Sequence, residues 1–253
     1  FFLGLFYATL AVLLSLWIFQ EEASLVMVFL TVMACIHLIH GVLQLEEEKD
    51  LVIKDERLLI KEHGKALSFF IFMFLGFIIG YLIWNIFLPT DISTKLFEVQ
   101  QETISSINSK VSGSAINGYD ILTKIFFNNI KVLFFCLIFS LFYGSGTVFI
   151  LAWNASVIAA AMGNIVRLTM AKGIFTSISY ALGKYLLHGI PEIAGYFVAA
   201  LAGGIISVAI IKHEFGSERF IHILIDSMDL IVLSVVILAI SAILEVYVTP
   251  AIF

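Results

Sequence analysis

The sequence has little charge. Asp, Glu, Lys and Arg make up 13% of its 253 residues, whereas soluble domains carry about 25%. Apolar residues make up 61% of the chain, and 24 residues are Phe. This composition excludes a soluble globular enzyme and a disordered chain. The formal net charge is −5 and the chain has no basic tract, so nucleic acid is excluded as a partner. The sequence predicts a multi-pass protein of the cell membrane with the lipid bilayer around it.

Cysteine and the usual catalytic motifs are also scarce. The two cysteines, Cys35 and Cys136, both lie in apolar runs, which excludes a disulfide framework and a cysteine zinc site. The sequence contains no His-Glu-x-x-His and no Gly-x-Ser-x-Gly motif. Asp226 and Asp229 are three residues apart at the start of a span, where helix-dipole compensation explains them better than protease chemistry. We therefore predict no metal, no cofactor and no enzymatic activity.

Apolar runs of roughly 20 residues are long enough to cross the hydrocarbon core as helices. We predict seven spans, at residues 1–19, 24–43, 66–88, 121–143, 148–166, 193–211 and 226–248. Residues 174–187 form a shorter run, which we predict to be an interfacial or re-entrant helix. The predicted fold class is therefore an all-α polytopic bundle of about seven spans, with broken or re-entrant helices between residues 144 and 192.

The charged residues divide the chain into segments. Twelve of the 33 charged residues fall between Glu46 and Lys65, and five of these are Lys or Arg, which favour the cytoplasmic side. We predict an N-terminal transmembrane hairpin at 1–43, a cytoplasmic loop at 44–65, and a transmembrane core at 66–253 whose outer loop is 90–120. In this topology Arg167, Lys172 and Lys184 lie outside, against the usual distribution of positive charge.

A polar group inside the bilayer needs a protein or water partner, so intramembrane polar residues are candidates for a functional site. The candidates are Asn128, Asn129, Asn154, His188 and Glu192. The predicted helix breaks lie at Gly144, Gly146, Gly189 and Pro191, because glycine and proline disfavour a continuous helix. We expect Asn154, His188 and Glu192 to face one another near these breaks. Such a cluster either joins broken helices by hydrogen bonds or binds an ion or substrate.

Small residues at four-residue spacing allow close helix contact. Gly76 and Gly80 mark such a face on the third span. With seven spans to pack, we expect this contact to be internal, and a homodimer is left open.

Several motifs in the core occur in a recognisable order. They are Phe-Phe-Asn-Asn-Ile-Lys-Val at 126–132, Gly-Ser-Gly-Thr at 144–147, Asn154, Gly163 and His-Gly-Ile-Pro-Glu at 188–192. This order resembles the stage II sporulation protein M family over roughly residues 90–250. The family's Asn-Gly pair is replaced here by Asn154 and Ala155. Residues 1–65 carry none of the motifs, and their arrangement is more similar to archaeal, non-sporulating relatives.

The resemblance implies a non-enzymatic membrane protein, with Asn128, Asn129, Asn154, His188 and Glu192 at the family's polar positions. It implies a scaffold or assembly subunit that organises envelope or cell-wall-remodelling proteins. The alternative from the residues themselves is a transporter or channel for an ion or small polar solute, with its site around Asn154, His188 and Glu192.

Overall fold

The computed structural model describes residues 1–52, 56–112, 118–143, 147–212 and 216–252, and all regular structure in these ranges is helical. The longer helices are α1 (Phe2–Ile18), α2 (Ala23–Val52), α3 (Glu56–Phe87), α5 (Glu98–Ser112), α6 (Gly118–Tyr143), α7 (Thr147–Thr169), α8 (Ile174–Lys212) and α9 (Glu218–Ile243). Short α4 (Thr90–Leu96) precedes α5, and a π-helical segment (Leu244–Val248) joins α9 to α10 (Thr249–Ile252). Gly144 and Gly146 lie outside the described residues.

The predicted polytopic helical bundle is confirmed. In the described ranges six helical segments are long and apolar enough to cross a membrane, and α1 is a shorter apolar helix of 17 residues. Successive spans run in opposite directions. We call the end of the bundle that carries α4 and α5 the α5 end, and the other end, where α2 leads towards α3, the hairpin end.

Helix α8 is the central element of the bundle. In the most apolar 18-residue stretch of α8, 83% of the residues are buried. The corresponding share is 17% for α6 and 22% for the segment that begins with α9. Helix α8 packs against α9, α6, α7, α2 and α3. The two spans that cover it on one side, α6 and α9, therefore present most of their surface outward.

Helix α1 packs against the glycine face of α3. A Cβ atom on Gly76 would lie 2.7 Å from the backbone nitrogen of Leu5, and one on Gly80 would lie 2.9 Å from Cβ of Ala8. A Cβ on Gly4 would meet the backbone of Met73. Close backbone approach through small residues is the usual way for helices to associate in lipid. The expected internal contact is thus present between the first and third spans.

The predicted helix break at Gly189 and Pro191 is wrong. Helix α8 is continuous over 39 residues, with Pro191 inside it, and residues 174–187 are its first turns rather than a separate re-entrant helix. Pro191 offers no N–H to the carbonyl four residues before it, but Ser241 on α9 donates a hydrogen bond to the neighbouring carbonyl of His188 at 2.8 Å. Neighbouring helices and serine hydroxyls make proline tolerable within membrane helices in this way.

The interruption lies earlier in the chain, at Gly173. This residue has φ of 97° and follows a 3₁₀ turn at Met170–Lys172. Gly173 and Gly216 are the glycines with positive φ in the part of the chain that the structure describes. Glycine adopts this conformation without the steric cost that a Cβ atom adds, so the chain reverses at residue 173 and enters α8.

Candidate functional site

The three predicted asparagines occupy different environments. Asn128 is exposed on α6, whereas its neighbour Asn129 is buried and its Nδ2 has no hydrogen-bond partner among the described residues. Asn154 is half-buried on α7 and donates from Nδ2 to the carbonyl of Ile150 in the same helix at 2.8 Å. The hydrogen bond of Asn154 therefore stays within its own helix, and the expected cluster of Asn154 with His188 and Glu192 is not formed through it.

His188 and Glu192 instead belong to a polar cluster between α8 and the end of α9. His188 Nδ1 is hydrogen-bonded to Oγ1 of Thr249 at 3.1 Å. One turn further along α8, the hydroxyl of Tyr196 donates to Oε1 of Glu192 at 2.9 Å. We call these residues, with Ser241 and Glu245, the α8–α9 cluster.

Glu245 brings a second carboxyl group to this cluster. It is half-buried in the π-helical segment and close enough to Glu192 to interact with it electrostatically. Single π-turns within α-helices occur often at functional sites, and ionisable residues inside a membrane are functional candidates. Tyr196, Ser241, Glu245 and Thr249 were absent from the sequence-based set. The i, i+4 spacing of Glu192 and Tyr196 was available in the sequence, whereas the π-turn had no sequence signal.

The α8–α9 cluster offers proton or hydrogen-bond chemistry rather than a metal centre. Within the described ranges, no three His, Cys, Asp or Glu side chains are grouped as metal ligands. A cavity of about 20 Å³ lies elsewhere, among side chains of α2, α3, α6, α7 and α8 that are apolar except for Ser140. A cavity of this size has room for about one water but few groups to bind it.

A second group of polar contacts lies at the C-terminal end of α3, at the α5 end of the bundle. Arg167 on α7 donates from Nε to the carbonyl of Asn85 at 3.1 Å and from Nη2 to the carbonyl of Leu88 at 2.9 Å. It also donates from Nη1 to the hydroxyl of Thr90, at 3.1 Å. The last carbonyls of a helix lack intrahelical partners and carry partial negative charge. Arg167 therefore fixes α3 to α7 and to the start of α4.

Two adjacent glutamines hold α5 against the bundle. Gln100 is fully buried; its Oε1 accepts from Ser24 Oγ at 2.7 Å, and its Nε2 donates to Ser156 Oγ at 3.1 Å. Gln101 and Asn164 exchange two amide hydrogen bonds, at 2.9 and 2.7 Å. We call α4 and the residues 98–105 of α5 the platform. The platform is fastened to α2 and α7 by buried side-chain hydrogen bonds.

A buried carboxylate–imidazole pair joins α2 and α3 at the hairpin end. His63 Nδ1–H donates to Oε2 of Glu46 at 2.8 Å, and the two side chains are 5% and 3% exposed. Lys49 contributes a contact of 2.6 Å to the other oxygen of Glu46. The prediction of a cytoplasmic charged loop at 44–65 did not include this pair, because the 17-residue separation of Glu46 and His63 matches no helical spacing.

Fold and site together define a polytopic helical membrane protein with an intramembrane carboxyl–imidazole cluster and a fastened platform at one end. The profile of the family described as Stage II sporulation protein M matches residues 68–250. The chain belongs to that family.

Among curated proteins, it is similar to an uncharacterized protein of the archaeon Methanocaldococcus jannaschii. The two are 27% identical over 185 residues, which is 70% of this chain and 89% of the relative. No solved structure matches. The family match begins at residue 68, so the first two spans and both members of the Glu46–His63 pair lie outside the matched region.

Proposed function

We propose that this protein is a non-enzymatic scaffold of the cell membrane that holds envelope-associated proteins at its platform. The observation that carries the proposal is the fixation of the platform. A connecting segment with no binding role needs no fully buried amide, yet Gln100 lies buried between Ser24 and Ser156. A surface that is rigid before binding loses less conformational freedom when a partner docks.

The outward side of the platform indicates the chemistry of the partner. Asp91, Glu98 and Glu102 are exposed. Lys95 is exposed too, but its Nζ lies 2.8 Å from a carboxylate oxygen of Glu21 in the turn between α1 and α2. The surface is therefore acidic, and complementary charge favours a partner with a basic face. Envelope or cell-wall-remodelling proteins with such a face are the proposed partners.

Site-specific photocross-linking tests this function. A photoreactive amino acid is placed at Glu98 or Glu102 on the platform, and at Phe72, an exposed residue of α3 outside the platform, as the matched control. We expect the same protein adduct from both platform positions and from neither control nor unirradiated cells. Gln100→Ala should weaken the adduct without loss of the membrane-inserted protein. If platform and control positions give the same adducts, the scaffold proposal fails.

The α8–α9 cluster supports a second candidate, transport of protons or a small cation. Glu192 and Glu245 place two interacting carboxyl groups within spans, beside a proline and a π-turn, and such ionisable groups mark many ion pathways. The test is flux of H⁺, Na⁺ and K⁺ in proteoliposomes. Transport predicts a flux that Glu192→Gln and Glu245→Gln abolish and Glu98→Gln leaves intact. A wild-type protein without flux would eliminate this candidate.

A further inference from the structure

Two charged side chains lie on the outward faces of the two most exposed full-length spans. Lys131 is near the middle of α6 and Asp229 is on α9, and both are exposed. Neither makes a hydrogen bond or ion pair with any residue in the described part of the chain. Most of their exposed neighbours are apolar: Phe127, Phe134 and Phe135 on α6, and Ile225, Met228 and Val232 on α9. Asn128, one turn before Lys131, is exposed as well. A charge left in contact with lipid is costly.

The two charges lie at similar depths in the bundle. Gly118 at the start of α6 lies against Tyr247, and α6 and α9 run in opposite directions. Lys131 therefore lies at the depth of about residue 234 on α9. With a helical rise of 1.5 Å per residue, Asp229 is about 8 Å away from that level along the helix axis. The flexible four-carbon stem of lysine can span such an offset. A neighbour at the same depth can thus satisfy both charges.

We propose that this face binds a second copy of the chain. Helices α6 and α9 contact each other and both cover α8, so their outward faces form one continuous surface. A twofold axis along the bilayer normal preserves depth and sets α6 of one copy against α9 of the other. In an isologous contact each pairing occurs twice. Lys131 of each copy then pairs with Asp229 of the other, among phenylalanine and aliphatic side chains.

The complementarity of the chain with itself identifies the occupant. At this depth the surface carries one exposed basic and one exposed acidic group, and a twofold axis pairs them. Lys124 lies about two turns nearer the α5 end, and the largely buried Asp226 already has His222 at 3.6 Å. The apolar residues around them suit a protein neighbour as well as lipid, because lipid tails are as apolar as leucine. The charges therefore supply the preference for a second copy over lipid.

Charge exchange in lipid nanodiscs or liposomes tests the dimer. The monomer–dimer equilibrium is measured by single-molecule photobleaching over a range of protein-to-lipid ratios. We expect Lys131→Glu or Asp229→Lys to weaken association about tenfold or more, as for loss of a poorly solvated charge pair. The double exchange should restore most of it. Lys172→Glu, which changes an exposed lysine at the α5 end, is the matched control and should leave association unchanged.

Cysteine cross-linking gives a second readout that does not depend on charge. In a background without Cys35 and Cys136, Phe134→Cys on one copy is mixed with Val232→Cys on another, because these positions share a depth. We expect a disulfide between the two differently tagged copies. A monomeric wild-type protein at every lipid ratio overturns the proposal. If the Lys131→Glu variant dimerises as well as the wild type, the proposal is overturned too, and Lys131 is assigned to contacts with lipid headgroups instead.

Discussion

The two glutamines at the start of α5 allow a sharp test of how the platform is held. Gln100 takes part in three hydrogen bonds: it accepts from Ser24 Oγ, and it donates to Ser156 Oγ at 3.1 Å and to the carbonyl of Ser24 at 3.3 Å. At about 1 kcal/mol each, Gln100→Ala should lower the free energy of unfolding by about 3 kcal/mol. Gln101→Ala removes two bonds to Asn164, but water can replace them at this partly exposed site, so we expect about 1 kcal/mol.

The measurement is SDS-induced unfolding in mixed micelles, followed by tryptophan fluorescence, for both variants side by side. Hydrogen exchange of the α5 amides should also rise more in Gln100→Ala than in Gln101→Ala, because the buried bonds order the helix locally. Equal free-energy losses for the two variants would refute the reasoning, since burial is the main difference between these adjacent side chains. A Gln100→Ala variant with the same free energy of unfolding as the wild type would also refute it.

Three further changes test the packing of the bundle. Gly163→Ala places a Cβ against the buried side chain of Asn85 and should lower the free energy of unfolding by about 1–3 kcal/mol, with Asn85→Ala restoring most of the loss in the same unfolding assay. Gly76→Val should detach α1 from α3, seen as new thiol labelling of a cysteine placed at Ala8. Glu46→Ala removes the buried carboxylate that Nδ1 of His63 and Nζ of Lys49 contact and should cost about 3 kcal/mol, measured by thermal unfolding in detergent.

Apolar run length was enough to find the spans. A membrane helix satisfies its own backbone groups, so length and hydropathy carry nearly all of the information. The predicted span at 66–88 ends one residue beyond α3 (Glu56–Phe87), and the span at 121–143 falls within Gly118–Tyr143. What hydropathy did not predict was how the chain outside lipid packs. Helices α2 and α3 continue into the charged region 44–65, where Glu46 and His63 form a buried pair that only the packed structure brings together.

The error at Gly189 and Pro191 has a physical cause. Local propensity describes an isolated helix in water, where proline inside a helix costs about 3 kcal/mol. In the bundle, α9 lies against this turn and Ser241 donates to a carbonyl beside it. The propensity of 188–192 was therefore outweighed by a contact with a residue 53 positions away. Gly173 is of the same residue type as Gly189, yet it does turn the chain, with φ of 97°.

The same limit applied to the candidate site. The sequence placed His188 and Glu192 on one face of α8, since four residues make about one helical turn, and their common cluster follows from that spacing. The partner Ser241 comes from α9, and the partner Thr249 comes from α10. Asn154 was included because it is polar and within a span, but its amide bonds to its own helix. Polarity alone thus identified a candidate without identifying its partner.

Arg167 shows why the charge count gave a conflicting topology after residue 144. The positive-inside distribution concerns basic groups that are free to interact with the membrane surface and the insertion machinery. The Arg167 guanidinium is instead directed at the carbonyls of Asn85 and Leu88 and at the hydroxyl of Thr90, so it neutralises a helix end rather than setting an orientation. With this residue discounted, the exposed Lys172 in the turn between α7 and α8 and the partly buried Lys184 on α8 remain. The charged stretch 44–65 is then the main reason to expect the hairpin end in the cytoplasm. Reversing the charge of residues 44–65 should reverse the orientation of the protein in the membrane. Arg167→Gln should weaken the contact between α3 and α7 and leave the orientation unchanged.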